Sequence, residues 1–415
     1  MIRRPGYIEK IHRFLGAPVI KILTGMRRVG KSTILTQLAG SLRERAVPEA
    51  NIVLVNMELF SNASLRDPAR LHQHIHAALA GTTGPSYILI DEVQEVLEWE
   101  RVVQSLLAEN LGDIVLTGSN AHMLSSELAT LLTGRYIEIP VASLSLSEFI
   151  EIRSESVAAP EPRLGINNPA ASCGECDPKK FNEYLQFGGL PGLHHLPLQE
   201  EYAVPYLNAV LDTLLLRDIV QRHRIRDVSV LEKILLFCMD CTGSLVSIKS
   251  IADYFKSQGM RVGLETVAQY LSHLCEASIL VRVPRFDIQG RRQMEYLDKY
   301  YLTDVGLRYG RLGWSTKRLP GTLETLVFHE LVRRGWKVSV GALAKREIDF
   351  VAQRHDEKLY VQVATYLTEE STLEREFGNL EAIPDNFPKL VLSLDDLPVG
   401  GRNGVRWQNV RDWLM

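Results

Sequence analysis

The segment GMRRVGKST, residues 25–33, follows directly on the apolar run VIKILT at residues 19–24. A short apolar run that enters a glycine predicts a buried strand running into a tight loop. Gly25, four further residues, then Gly30, Lys31 and Ser32 satisfy the Walker A spacing in full. Each residue type has a reason. The glycines let the backbone wrap an anion with its N–H groups pointing inward. The run STILTQLAGSL that follows predicts a helix, whose positive N-terminal end faces the same anion. Lys31 is placed to reach the β- and γ-phosphates of a nucleotide, and Ser32 to bind Mg²⁺. Arg28 and Thr33, in the same loop, complete the candidate nucleotide contacts.

Working outward, YILIDEVQ at residues 87–94 is a second apolar run, and it ends in Asp91 and Glu92. This is the shape of a Walker B strand. Asp91 would hold the metal through water, and Glu92 would activate the attacking water. Acidic residues also favour helix N-termini, but beside a full Walker A the hydrolytic reading is the stronger. A third run, DIVLTGSN at residues 113–120, ends in polar side chains. Asn120 is the candidate for polarising the water, with Ser119 a near competitor. Arg135 stands just before the run YIEIP at residues 136–140. A guanidinium there can meet transition-state charge on a γ-phosphate, in a neighbouring subunit rather than its own.

The totals limit the alternatives. The chain has 415 residues, which predicts two to four domains at about 100–200 residues each. It is 46% hydrophobic and 23% charged with net charge -3, so no global basic excess draws it to nucleic acid. The apolar runs are too short to span a bilayer. The N-terminal stretch MIRRPGYIEKIHRF has no signal-peptide core. Five cysteines fit a reducing compartment, and a cytoplasmic location is the expectation.

With Walker A, a distant Walker B ending Asp-Glu, a polar third strand and Gly-Arg before a fifth, the chain resembles the AAA+ ATPases. More narrowly it looks like the prokaryotic AAA-type ATPases that carry a C-terminal domain of unknown function. The segments LSLSEF, GGLPG and YYLTDVGL add to that resemblance. It implies a parallel five-stranded sheet in the order 5-1-4-3-2, ATP and Mg²⁺ as ligands, and a homo-oligomeric ring, with a hexamer favoured.

Beyond residue 150 the sequence changes character. Residues 154–180 are rich in Pro, Ala, Gly and Asn and predict a loop. They contain Cys173 and Cys176, and a second Cys-x-x-Cys pair stands at Cys238 and Cys241. Two such pairs would suit zinc, but the second lies in an apolar helical pattern, where free cysteine serves as core filler. FNEYLQFGGLPGL predicts a lid helix ending in a Gly-rich turn. LLLRDIVQRHRIRD predicts a basic helix. SIKSIADYFKSQG, capped by Ser247, and GLETVAQYLSHLCEASIL predict two further helices. A hairpin-like run with basic tips follows, and helix, turn, helix, hairpin is a winged-helix order. Arg282, Arg285, Arg291 and Arg292 are the candidate DNA contacts.

The last hundred residues are similar to the PD-(D/E)xK nucleases: a helix with Glu324, a strand with Asp349, then a strand with Gln362 and Ala364. That family places an acid and a lysine at the last two positions. A neutral amide and a methyl group cannot complete a divalent-metal site there, so nuclease activity is not expected. The expected organisation is an α/β chain. It comprises an AAA+ core over residues 1–150, a loop and lid over 151–205, a winged helix over 206–310, and an inactive nuclease-like domain over 311–415. The expected function is an ATP-driven machine acting on DNA, branched or single-stranded. The alternatives are a nucleotide-dependent switch acting on a protein partner and an ATP-regulated nuclease.

Overall fold

The computed structural model describes residues 2–118, 132, 134–155, 177–396 and 400–415. It divides into two compact units, Met1–Ala142 with Glu276–Ser278, and Ser143–Cys275 with Ile279–Met415.

In the first unit, helix α1 (Pro5–His12) is followed by β1 (Ile20–Thr24), α2 (Lys31–Glu44), β2 (Ile52–Asn56) and α3 (Pro68–Leu79). Then come β3 (Tyr87–Asp91), α4 (Trp99–Ala108), β4 (Asp113–Thr117) and β5 (Tyr136–Pro140). The five strands form one sheet in the order β2-β3-β4-β1-β5, with every pairing parallel. This is the 5-1-4-3-2 order that the resemblance implies. Parallel strands covered on both faces read as near-continuous apolar runs, and all five residues of β1 are buried. Its Lys21 is the exception in chemistry, and an ion pair with Asp113 of β4 neutralises it inside the sheet. The helix after the loop starts where the glycines require. Gly25 has φ +130°, and a Cβ there would stand 2.3 Å from the Val141 carbonyl oxygen. Gly30 is left-handed and leads directly into α2.

The second unit opens with helices α5 (Leu146–Glu155), α6 (Pro178–Phe187) and α7 (Glu200–Thr213). The expected basic helix is a π-helical stretch, Leu214–Gln221. Next come α8 (Val228–Asp240), the short β6 (Leu245–Val246), α9 (Ile248–Ser257), α10 (Leu264–Glu276), and the hairpin β7 (Leu280–Asp287) and β8 (Arg292–Leu302). Ser247 caps α9 through a reciprocal bond with Ser250. The chain continues through α11 (Val305–Leu312), α12 (Leu319–Arg333), β9 (Lys337–Leu343), β10 (Arg346–Arg354) and β11 (Glu357–Val363). It closes with α13 (Glu370–Glu381), β12 (Lys389–Ser393), β13 (Gly400–Arg402), β14 (Val405–Asn409) and α14 (Val410–Leu414).

Two features differ from the expected domain plan. The segments expected as separate domains on either side of residue 310 share one nine-stranded sheet, ordered β13-β14-β12-β11-β10-β9-β7-β8-β6. The joint is a parallel pairing of β7 with β9, Arg285 to Val340 through Asp287 to Ala342. The helices expected as a linker belong to the same unit. Phe149 of α5 and Phe181, Tyr184 and Leu185 of α6 share a core with Tyr301, Phe328 and Phe350. The Gly-rich turn after α6 meets the YLTDVGL segment. Asp304 accepts from the Gly189 and Gly306 amides at 2.9 Å, and burial pushes its carboxyl up to about 6.

Candidate nucleotide site and a lysine-filled acidic pocket

In a parallel sheet all strands end at the same edge, and ligands bind beyond that edge. The ends of β1, β2, β3 and β4 carry the loop at Gly25, Asn56, Asp91 and Thr117. Lys31 is buried and turned into its own loop, where Nζ donates to the carbonyl oxygens of Gly25 and Met26, both at 2.9 Å. Ser32 is exposed at the helix start and Thr33 is half-buried beside it, with Arg28 exposed in the left-handed region at φ +65°.

Asp91 is clasped from two neighbouring strands. The Thr117 hydroxyl donates to its Oδ1 at 2.5 Å, and Asn56 donates to its Oδ2 at 2.9 Å. Burial pushes the Asp91 carboxyl up, against hydrogen bonds from Thr117 and Ser32 that hold it down. A desolvated carboxylate beside a serine hydroxyl fits a hydrated Mg²⁺, which would supply Lewis-acid charge stabilisation there. Glu92 leaves the strand at φ +53°, its amide donating to Thr117 Oγ1 at 2.8 Å. That backbone turn gives the two adjacent acids different partners. Glu92 faces Arg27 at 3.7 Å rather than the Asp91 clasp.

Arg135 sits at the other edge. Its carbonyl accepts from the amide of Ile20, the first residue of β1. Five residues of strand, about 16 Å, therefore separate it along β1 from the phosphate loop of its own chain. Its side chain is exposed. Asn120 and Ser119 lie outside the described residues.

Three contributors were not evident in the sequence. Thr117 and Asn56 are single polar residues at strand ends, and only the parallel register brings them to Asp91. Arg4, in the charged N-terminal stretch, is buried. Its guanidinium donates to the Val29 carbonyl of the phosphate loop at 3.1 Å and to the Ala142 carbonyl at 2.9 Å, and stacks on Tyr7.

In the second unit Glu324, Asp349 and Gln362 come together. They line a pocket of about 380 Å³ with Glu347 and Glu376. The Asp349 amide donates to Gln362 Oε1 at 3.2 Å, and the Val363 amide to Asp349 Oδ2 at 2.9 Å. The lysine missing at Ala364 has a counterpart from another strand. Lys299 of β8 is buried, with Nζ 2.9 Å from Glu324, 2.9 Å from Glu347 and 3.1 Å from Asp349. Burial alone would lower its pKa, but Asp349 and Glu324 raise it well above the ordinary lysine range. The ammonium donates to Glu324 and Asp349, and Glu347 adds a third carboxylate to the ion-pair cluster. In this structure the Lys299 ammonium is the counter-charge that these oxygens face.

The hairpin arginines are dispersed. Arg282 is held by Asp298 at 2.6 Å and Arg285 is half-buried. Arg291 and Arg292 are exposed at the turn, with Asp287 4.0 Å from Arg292. Of the cysteines, Cys173 and Cys176 lie outside the described residues. Cys238 is a buried free thiol in α8 whose pKa burial raises, and Cys241, just past that helix, is a half-buried free thiol. No helix among the described residues is long and apolar enough to cross a membrane.

Residues 18–150 match the family model described as AAA domain, and residues 178–318 match a domain of unknown function (DUF8612). An uncharacterized protein of Haemophilus influenzae is 33% identical over 415 residues, covering 100% of this chain and 99% of that one. An uncharacterized protein of Methanocaldococcus jannaschii is 28% identical over 371 residues, 88% of this chain and 79% of that one. Among solved structures, the Walker-type ATPase of Pyrococcus abyssi aligns over 75% of this chain and 95% of its own, at 15% identity and TM-score 0.50.

Proposed function

We propose that this chain, which belongs to the family of the Haemophilus influenzae protein and carries an AAA domain, is an ATP-hydrolysing machine that works as a ring and acts on DNA. The observation that carries the reading is the split of charge between the two edges of one sheet. Lys31, Ser32, Asp91 and Glu92 gather at the strand ends, and Arg135 stands exposed at the strand starts. An arginine about 16 Å along the strand from its own phosphate loop is placed to serve a site on another subunit. A closed head-to-tail ring then gives every subunit a complete site, and six subunits is the favoured number.

In the reaction, Lys31 exchanges its bonds to Gly25 and Met26 for phosphate oxygens. Glu92 accepts the proton of the attacking water as the bond to the leaving diphosphate breaks. The test is the oligomeric state and the ATPase rate with and without single-stranded, duplex and branched DNA. Stimulation of several-fold by DNA supports the proposal. Slow turnover indifferent to DNA would favour the nucleotide-dependent switch instead.

The reading of DNA as the substrate rests on the exposed Arg291 and Arg292. Replacing both with Ala is expected to weaken binding about equally across sequences. It should flatten the dependence of log K on log salt by up to ~2 units, about one per phosphate contact. An unchanged slope would assign the hairpin turn to a protein partner or to solvent.

The acidic pocket we read as structural. Purified protein is expected to leave plasmid, linear and branched DNA intact with Mg²⁺ and ATP. Cleavage lost on Asp349→Ala would promote the ATP-regulated nuclease to first place. Lys299→Met should destabilise the second unit by about 3–5 kcal/mol, because three partly or wholly buried carboxylates lose their counter-charge. Denaturant titration of that unit measures the loss.

A further inference from the structure

On the outer face of the first unit, away from the residues assigned to nucleotide, two imidazoles and a carboxylate converge. His72 and His76 stand four residues apart on α3, so both project from one face. Their Nε2 atoms lie 2.9 Å and 2.5 Å from the two oxygens of Glu109, the residue that caps the C-terminus of α4. The two rings are 4.4 Å apart at 45°, and one ligand atom from each of the three residues lies within 4.8 Å of the others.

We propose that His72, His76 and Glu109 form a site for a borderline divalent cation, zinc above all, which clasps α3 to the end of α4.

The donor chemistry selects the ion. Two imidazole nitrogens and one carboxylate suit Zn²⁺, Co²⁺, Ni²⁺ or Cu²⁺, whereas Mg²⁺ demands oxygen and keeps its waters. Donors about 2.0–2.1 Å from a tetrahedral ion lie roughly 3.3 Å from one another; the two Nε2–carboxylate separations are shorter than that, and the three ligand atoms all lie within 4.8 Å of one another, so a small opening of the cluster admits the ion. An outer shell is already built. The Ser105 hydroxyl donates to Glu109 Oε1 at 2.5 Å and fixes the carboxylate's orientation. All three side chains are about one-third or more exposed, which leaves positions for water and a path for the ion. An ion here replaces two N–H donors with two lone pairs directed at one centre. It joins segments 33 residues apart in the chain, so it favours the folded state over the unfolded one.

The test uses the full chain without a histidine tag, stripped with chelator and titrated with Zn²⁺ by calorimetry and with Co²⁺ by absorbance. One ion is expected to bind at micromolar concentration or below. The Co²⁺ complex should show the visible bands of a nitrogen and oxygen tetrahedral site without sulfur charge transfer. His72→Ala, His76→Ala and Glu109→Gln should each weaken binding at least as much as loss of an outer-shell partner does, about 10–100-fold. His74→Ala, two residues from each ligand and on the other side of α3, should leave it unchanged. Zn²⁺ should raise the melting temperature of the wild type and of His74→Ala, and not of the other three. Equal binding by wild type and the His72→Ala/His76→Ala double variant overturns the proposal. So does a sulfur charge-transfer band that the double variant retains, or absence of binding by the wild type.

Discussion

Glu92→Gln is expected to bind ATP as the wild type does and to lose turnover by about 10³-fold, within the range for removal of a positioned general base. The change is nearly isosteric and keeps the strand exit at φ +53° open to the same side-chain length. What it removes is the acceptor for the water's proton, a role that exists only in the transition state. Lys31→Ala should fail differently. Lys31 contacts phosphate in the ground state, and without nucleotide it also ties the loop through the Gly25 and Met26 carbonyls. Its loss should weaken ATP binding by about 10²-fold or more, the scale of a lost charge-assisted hydrogen bond with its loop disordered. Nucleotide-binding fluorescence and steady-state phosphate release, measured on both variants, separate the two effects. Wild-type turnover in Glu92→Gln would move the base to another residue.

Arg135→Ala is expected to cost about 10³ in turnover while each subunit still binds ATP. The mixing experiment decides whether the arginine acts across subunits. Arg135→Ala subunits keep a sound phosphate loop, and Lys31→Ala subunits keep a sound arginine. Combined in one ring, they create some interfaces with both parts, and activity should return in proportion to those interfaces. An intact oligomer with no rescue would confine Arg135 to its own subunit or to a structural role.

The first unit was legible because its signals are local. GMRRVGKST needs a strand before and a helix after, and both are present. YILID is apolar until the acid that ends the strand. What escaped was whatever depends on register between distant strands. Thr117 looks like any threonine at the end of an apolar run until β4 pairs with β3 and sets its hydroxyl against Asp91. Lys299 was hidden for the same reason. LDKYYLTD reads as a hairpin strand, and no spacing rule ties its lysine to a glutamate 25 residues later and an aspartate 50 residues later. The division at residue 310 failed because helix–turn–helix–hairpin is a self-sufficient local pattern. The three register pairs that extend the hairpin into the next sheet leave no mark on composition.

That shared sheet has a mechanical side. A hairpin on a free tether swings like a flap and swivels to find its ligand. This one is riveted along its β7 edge to β9, with the Ile288 amide bonded to the Ala342 carbonyl just past the last strand residue. To swing, it would have to tear ladder bonds, so the plate tilts whole or stays still. Lys299 lies on β8, the strand that begins at Arg292, and its ammonium bolts that strand to Glu324 of α12 and Asp349 of β10. A tug on the exposed turn is therefore carried as torque into the body of the second unit, and the buried lysine acts as the pin that keeps the lever from slipping.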